Sequence, residues 1–355
     1  MKSAKYSSEP ITAAVVGLGS IGMGLDYDTT DSGVILTHCG ALQKHSGFKL
    51  VGGVDPDSQK RAQFEKKFRC EAFPDLASMF SKKIEPDLIV LSVPTKSHAQ
   101  EFRKILTSGH LPKILLCEKP LAENFADSKA MIELAESKGV TIAVNFVRRF
   151  EPGVKKVRDL LSHDVIGGLQ KGLVWYSKGL LNNGSHFIDL LHFWLGSAAE
   201  IEICGLGHSS NRFGEDPDPD FLVRFGNSLT PIYFLSACEK HFSMREVELI
   251  GEKGAIYYRR GGMEIIHHSV EFSSLFQGYQ FLGDEGKKIQ TELARVQWFV
   301  FEHIFKHLKS GEALPSTGRT ALAAMEVVEK VKNQWKQQEQ LHHSQQQTHR
   351  KALQN

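Results

Sequence analysis

The run Ile11-Thr12-Ala13-Ala14-Val15-Val16 leads directly into Gly17-Leu18-Gly19-Ser20-Ile21-Gly22, and no other stretch restricts the possible folds as much. A strand that stops on this G-x-G-x-x-G spacing uses its glycines for three purposes. The first makes a tight turn, the second lets the backbone approach a pyrophosphate, and the third lets a helix pack closely on the strand. The start of that helix can hold the phosphates. Alone the spacing is weak evidence, because glycine turns after strands are common. A second strand, Phe48 to Val54, ends on Asp55, where an acid is the expected partner of an adenosine ribose 2′-hydroxyl. Together they predict a dinucleotide site, and a carboxylate there favours NAD over NADP because it repels a 2′-phosphate.

The acid usually lies about 20 residues beyond the glycines, and here it stands well further on. The surplus is Met23 to Ile35, rich in Gly, Asp and Thr, which is expected to interrupt the first helix as a loop near the cofactor until His38-Cys39-Gly40-Ala41-Leu42 resumes it. Asp26, Asp28 and Asp31 invite a calcium-loop reading. An EF-hand, however, wants glycine at its sixth position and glutamate at its twelfth, where Asp31 and Thr37 stand, so no metal site is predicted.

Further strands alternate with helices: Asp87 to Val93, Ile114 to Cys117 and Val140 to Val144, with helices from Ser58 to Phe68 and from about Asn124 to Lys138. Unbroken apolar runs suit strands buried on both faces, and the alternation predicts a doubly wound parallel sheet. In such sheets ligands bind at the carboxyl edge. That edge carries Pro94-Thr95-Lys96-Ser97-His98, with Thr95 or Ser97 as candidate caps, and Glu118-Lys119-Pro120. The plainer alternatives are a surface histidine at His98 and a solvated turn at Glu118–Pro120.

With 355 residues, 41% of them hydrophobic, the chain can bury two cores at roughly 150 residues per domain. A net charge of +2, with both signs interspersed, gives no argument for a nucleic acid or membrane partner. The five cysteines are odd in number and widely spaced, which reads as reduced core thiols rather than disulfides. Met1 to Pro10 lacks an apolar core segment, and no stretch approaches the roughly 20 apolar residues of a membrane span, so a cytoplasmic location is the expectation.

Composition changes after Asn145-Phe146-Val147-Arg148-Arg149-Phe150-Glu151-Pro152. The predicted domains are 10–147 and 148–335, with a Gln- and His-rich disordered tail, 336–355, after them. In the second domain an amphipathic helix to Leu161 precedes a strand, Gly172 to Tyr176. Phe187, Leu190, Leu191, Trp194 and Leu195 then recur at helical spacing, with Asn182 or Asn183 to cap the helix. Asn182, His186 and Asp189 could share one face of it. Taken singly, a histidine on such a helix is more often a hydrogen-bonded core residue. Six strands come next, from Glu200 to His267, suggesting an antiparallel sheet, and Asp216-Pro217-Asp218-Pro219-Asp220 reads as a turn between two of them. Helices of about Glu292 to Lys309 and Thr317 to Gln334 are expected to close this domain.

As an ordered set, Gly17–Gly22, Glu118-Lys119-Pro120, Asn145–Phe150 and Gly184-Ser185-His186-Phe187-Ile188-Asp189 resemble the Gfo/Idh/MocA family of nicotinamide-dependent oxidoreductases, from about Ile11 to Gln334. The resemblance implies an α/β chain: an N-terminal Rossmann domain, then an α/β domain with an open, predominantly antiparallel sheet whose outer face builds homodimers or homotetramers, with substrate between the domains. Implied cofactor contacts are Gly17, Gly19, Ser20, Ile21, Gly22 and Asp55. Pro94, His98, Glu118 and Lys119 complete them. Lys119 matches the family's Glu-Lys-Pro lysine and His186 its substrate-side histidine. A histidine tuned near neutral pH can accept the hydroxyl proton when a carbinol gives hydride to nicotinamide, while Lys119 stabilises the developing charge on oxygen. Asn182 stands where many members carry aspartate. It can orient an alcohol but cannot take its proton, which shifts proton transfer towards His186 or Lys119. Asparagine here resembles members acting on nucleotide-linked sugars. Arg148, Arg149 and Lys178 are candidate contacts to an anionic substrate group, although an arginine pair at a domain border is more often structural. The alternatives implied are an inositol or free-sugar dehydrogenase, or a cofactor-binding regulator without turnover.

Overall fold

In the computed structural model, which describes residues 9–31, 33–207, 216–226 and 228–354, β1 (Ile11–Val16) takes a central place in a six-stranded parallel sheet. The other strands are β2 (Phe48–Val54), β3 (Ala72–Phe73), β4 (Leu88–Leu91), β5 (Ile114–Cys117) and β6 (Thr141–Val144), in the order β3-β2-β1-β4-β5-β6. Their runs are apolar throughout because the two faces bury alternate residues. Ala14, Val16, Ile89, Leu91, Leu115 and Val144 join a core with α3 (Leu76–Ser81), α4 (Thr95–Thr107) and α5 (Phe125–Ser137). Ala13, Val15, Leu88, Val90, Leu116 and Ala143 join another with α1 (His38–Lys44), α2 (Ser58–Phe68) and α8 (Val296–Ser310). Strand register sets Val16 beside Val54 and Leu91, Leu91 beside Cys117, and Cys117 beside Val144. The residues just beyond the strands, Gly17, Asp55, Ser92, Glu118 and Asn145, therefore form one row along the carboxyl edge.

The chain divides into two compact units. The first holds the described residues up to Glu151 together with Glu292–Leu322, and the second holds Pro152–Thr291 and the chain from Ala323 onward. This corrects the expected linear division. Val300, Phe301 and Ile304 of α8 fill the first unit's core rather than closing the second.

The second unit contains a nine-stranded mixed sheet. Its strands are β7 (Leu169–Tyr176), β8 (Ala198–Gly205), β9 (Asp220–Phe225), β10 (Pro231–Ser236), β11 (Arg245–Gly251), β12 (Gly254–Arg259), β13 (Glu264–Phe272), β14 (Gln280–Leu282) and β15 (Lys287–Ile289). Pairings are antiparallel except β7 with β10. One face buries Val174, Tyr176, Phe234, Val247 and Leu249 against α6 (Pro152–Ser162), α7 (Ser185–Leu195) and α9 (Gly318–Gln354).

Several local expectations change. The stretch expected as a disordered tail continues α9 to Gln354, with no glycine or proline after Gly318 and many good helix formers; Asn355 and the opening residues to Ser8 lie outside the described residues. Neither Thr95 nor Ser97 caps α4, whose cap position is Pro94. Cys39 and Cys117 are core thiols whose pKa burial pushes well up, and burial raises that of half-buried Cys70 to about 11. Cys204 and Cys238, in contrast, are exposed. No described helix is long and apolar enough to cross a membrane.

Candidate functional site

Each glycine of the first turn has a distinct steric environment. Gly17 has φ +97°, and a Cβ on it would lie 2.6 Å from the Ser92 carbonyl. On Gly22 a Cβ would meet the Gly17 oxygen at 2.1 Å, whereas on Gly19 it would find nothing within 4 Å. The tight turn and the close packing are thus both real, and the open backbone at Gly19 fits a pyrophosphate. Beyond Gly19 the chain makes one wide turn, Ser20–Gly24, in which Gly24 N–H donates to the Gly19 carbonyl at 3.0 Å, and not a full helix. Asp55 is buried; its Oδ2 accepts Leu18 N–H at 2.9 Å and its Oδ1 accepts Asp57 N–H at 2.9 Å. Lys60 Nζ stands 3.8 Å from Oδ2. The acid thus ties the end of β2 to the glycine turn.

The insertion is pinned by Asp26, one of the three aspartates that suggested a calcium loop. Its carboxylate accepts Leu36 N–H at 2.8 Å, Thr37 N–H at 3.1 Å and the Thr37 hydroxyl at 2.5 Å, so it works as a structural acceptor. Tyr27 donates from its hydroxyl to the Gln63 carbonyl at 3.1 Å, and Lys67 bonds the Tyr27 carbonyl while lying 4.5 Å from its ring centroid.

Glu118 belongs to a buried polar ring that the sequence did not announce. Its Oε1 accepts His38 Nε2–H at 2.8 Å and Asn145 Nδ2–H at 2.6 Å. Gln297 closes the ring, donating to His38 Nδ1 at 2.9 Å and accepting from Asn145 at 3.2 Å. Burial opposes the Glu118 carboxylate, but hydrogen bonds from His38 and Asn145 and the charge of Lys119 outweigh it and hold its carboxyl below the ordinary range. Lys119 is half-buried; its N–H donates to Glu118 Oε2 at 3.3 Å, and its bond to Pro120 is cis. The signal for this ring was thin: a histidine at the head of an apolar helix, and a glutamine inside another.

His98 is buried rather than superficial. Nδ1 faces the carbonyls of Pro120 and Leu121 at 3.0 and 3.1 Å, and Nε2 faces that of Val93 at 2.9 Å. Its ring braces the turn after Lys119 against the end of β4, so both nitrogens are engaged there. Pro94 is exposed on the same edge. Arg148 and Arg149 are buried in the turn Val147–Phe150, where Arg149 donates to the Pro315 carbonyl at 3.3 Å.

In the second unit, His186 is half-buried in the first turn of α7 and Asn182 is exposed in the wide turn Leu180–Gly184 before it. Neither asparagine caps this helix: Asn182 Nδ2 donates to the Lys178 carbonyl at 3.2 Å and Asn183 Nδ2 to the Ser177 carbonyl at 2.9 Å. The capping comes from the acidic proline-rich segment. Asp216 accepts the N–H groups of Leu181 at 2.8 Å and Asn182 at 2.9 Å, and Asp218 accepts that of Gly179 at 2.7 Å. Lys178 Nζ pairs with Glu239 at 2.7 Å, and Asp189 is buried.

Residues 11–146 match the family described as "Oxidoreductase family, NAD-binding Rossmann fold". The 2,7-anhydro-N-acetylneuraminate hydratase of Mediterraneibacter gnavus is 23% identical over 237 residues, 61% of this chain and 62% of that protein. The chain thus spans less than two thirds of that curated relative's length. The WlbA dehydrogenase from Bordetella pertussis, solved with NADH and UDP-GlcNAcA, superposes with a TM-score of 0.72 at 17% identity, covering 93% of this chain and 97% of that one. The transcriptional regulator Gal80p from Kluyveromyces lactis superposes at 0.74 with 18% identity over 93% of each chain. Likeness at such identity establishes a shared fold alone. Residues 11–146 are thus similar to the NAD-binding Rossmann domain of the Gfo/Idh/MocA oxidoreductases.

Proposed function

We propose that this chain is an NAD(H)-dependent oxidoreductase that moves hydride between nicotinamide and a hydroxyl-bearing carbon of a sugar or nucleotide-linked sugar. The observation that carries the reading is the polar ring around Glu118, which fixes the carboxylate preceding Lys119 on the dinucleotide edge of the sheet. The nicotinamide supplies the hydride acceptor or donor. Lys119, a cation beside a fixed carboxylate, stabilises negative charge on the substrate oxygen as its proton leaves. His186 accepts that proton in the oxidation direction and returns it in reduction. Asn182 orients the hydroxyl without taking a proton. Arg148, Arg149 and Lys178 are the candidate contacts to an anionic substrate group, with Lys178 positioned by Glu239.

Sugar chemistry is supported by the family resemblance and by relatives whose names specify a sialic acid derivative and a UDP-linked sugar acid. The test is NADH binding by fluorescence, then hydride transfer across a panel of free sugars, inositols, sialic acid derivatives and nucleotide sugars. Turnover that needs Lys119 supports the proposal. NADH binding without turnover on any member of the panel favours the regulator reading.

A further inference from the structure

Beside Asp55, within the first unit, lies a cavity of about 420 Å³. One wall is the glycine turn, at Leu18, Gly19 and Ser20, with Lys60 and Gln63 of α2 completing that side. The insertion contributes Leu25, Tyr27 and Asp28 to the lining. Asp55 Oδ2 is bonded to Leu18 N–H at 2.9 Å, with Lys60 Nζ 3.8 Å away, and both of those residues line the cavity. The cavity shares Leu18 and Lys60 with the surroundings of Asp55, so it adjoins the carboxylate that would meet an adenosine ribose.

We propose that the insertion is a second cofactor-selectivity element, and that Asp28 keeps a 2′-phosphate out of this cavity. Among the described residues, Asp28 and Lys60 are the only charged side chains lining it, and Lys60 stands beside the Asp55 carboxylate, so a dianion entering there meets two carboxylates against one ammonium. The insertion wall is fixed. Asp26 bonds Leu36 and Thr37, Tyr27 bonds the Gln63 carbonyl, Lys67 bonds the Tyr27 carbonyl, and Ile35 N–H bonds the Ala294 carbonyl at 2.9 Å. A wall held at that many points keeps Asp28 on the rim in place of swinging aside for a larger ligand. The inference rests on the dinucleotide site and not on the sugar chemistry, so failure of turnover leaves it standing.

The experiment measures dissociation constants of the full chain for NADH and NADPH by fluorescence titration, with ADP-ribose and 2′-phospho-ADP-ribose as competitors. Asp28→Asn is expected to tighten NADPH about three- to tenfold while leaving NADH unchanged, the size of a single partly screened charge interaction. The gain should shrink in 0.5 M salt, since the carboxylate is exposed (about a 4 Å screening length). Tyr27→Phe, which removes the bond to the Gln63 carbonyl and so loosens the wall without altering its charge, should also narrow the preference. A NADH/NADPH ratio unchanged within twofold in Asp28→Asn, or parallel changes in both ligands, would overturn the proposal. Absence of binding by either dinucleotide would sink it together with the nicotinamide reading.

Discussion

The carboxylate of Asp216 accepts the backbone N–H of Asn182 at 2.9 Å, so an acidic segment remote in sequence organises the turn that leads to His186. Its other oxygen takes Leu181 N–H. A cap of this type stabilises by about 1–2 kcal/mol. Asp216→Ala should lower stability by that amount and speed hydrogen exchange at 180–186, with turnover falling more than NADH affinity. Unchanged exchange at those amides would show that the carboxylate does not hold the turn.

Two glycines separate folding from binding. Gly17→Ala forces a Cβ to within 2.6 Å of backbone at φ +97°, so it should destabilise the first unit by several kcal/mol, of the order of an incompatible backbone with overpacking. Gly19→Val has open space and should leave the melting temperature close to wild type while weakening NADH at least about tenfold, since the side chain occupies the approach of the pyrophosphate. Equal effects of the two changes on stability would refute the separation.

The polar ring predicts an acid-side signature. Because the Glu118 carboxyl titrates below its ordinary range in the folded chain, its contribution to stability is complete above the unfolded value of about 4.3 and is lost as pH falls through the folded value. The stability difference between wild type and Glu118→Gln should therefore be level from neutral pH to about 5 and shrink below about 4. Denaturant unfolding at several pH values measures it, and a difference independent of pH would contradict the assignment.

His38→Ala should cost about 1–3 kcal/mol, because it strands a buried carboxylate and the Gln297 amide. If the ring also positions Lys119, kcat should fall while the NADH dissociation constant stays within a few fold. Loss of stability with normal kcat would confine His38 to a structural role.

Lys119→Ala should reduce turnover by orders of magnitude and keep NADH binding, and His186→Ala should do likewise with a flattened pH profile. Near-normal rates in both would remove them from the chemistry.

The sheet strands and the glycine turn were legible because their signals are local. Ile114–Cys117 and Ser58–Phe68 fall where the unbroken apolar run and the strand–helix alternation place them. Two- and three-residue strands such as β3, β14 and β15 carry no period to detect. The site was legible only as separate motifs. His38 and Gln297 are 259 residues apart, and nothing in either neighbourhood announces their hydrogen bond. Asp216 reads as a turn acid by composition, and only the fold shows which amides it serves. Asn182 and Asn183 illustrate the reverse case, since good capping residues stood beside a helix start and were recruited to nearby carbonyls instead.

The discontinuity of the first unit bears on how the chain is made. As it leaves the ribosome, the sheet strands through Val144 emerge with the face that α8 covers still open, and the residues that cover it arrive only after the whole of Pro152–Thr291 has been synthesised. The nascent Rossmann unit thus carries an exposed apolar face until α8 arrives, and the second unit in turn waits for α9, whose Ala324, Val327, Val328 and Val331 join its core. A fragment ending at Glu151 should aggregate for the same reason, whereas one joining 9–151 to 292–322 through a short linker contains every segment that its core requires.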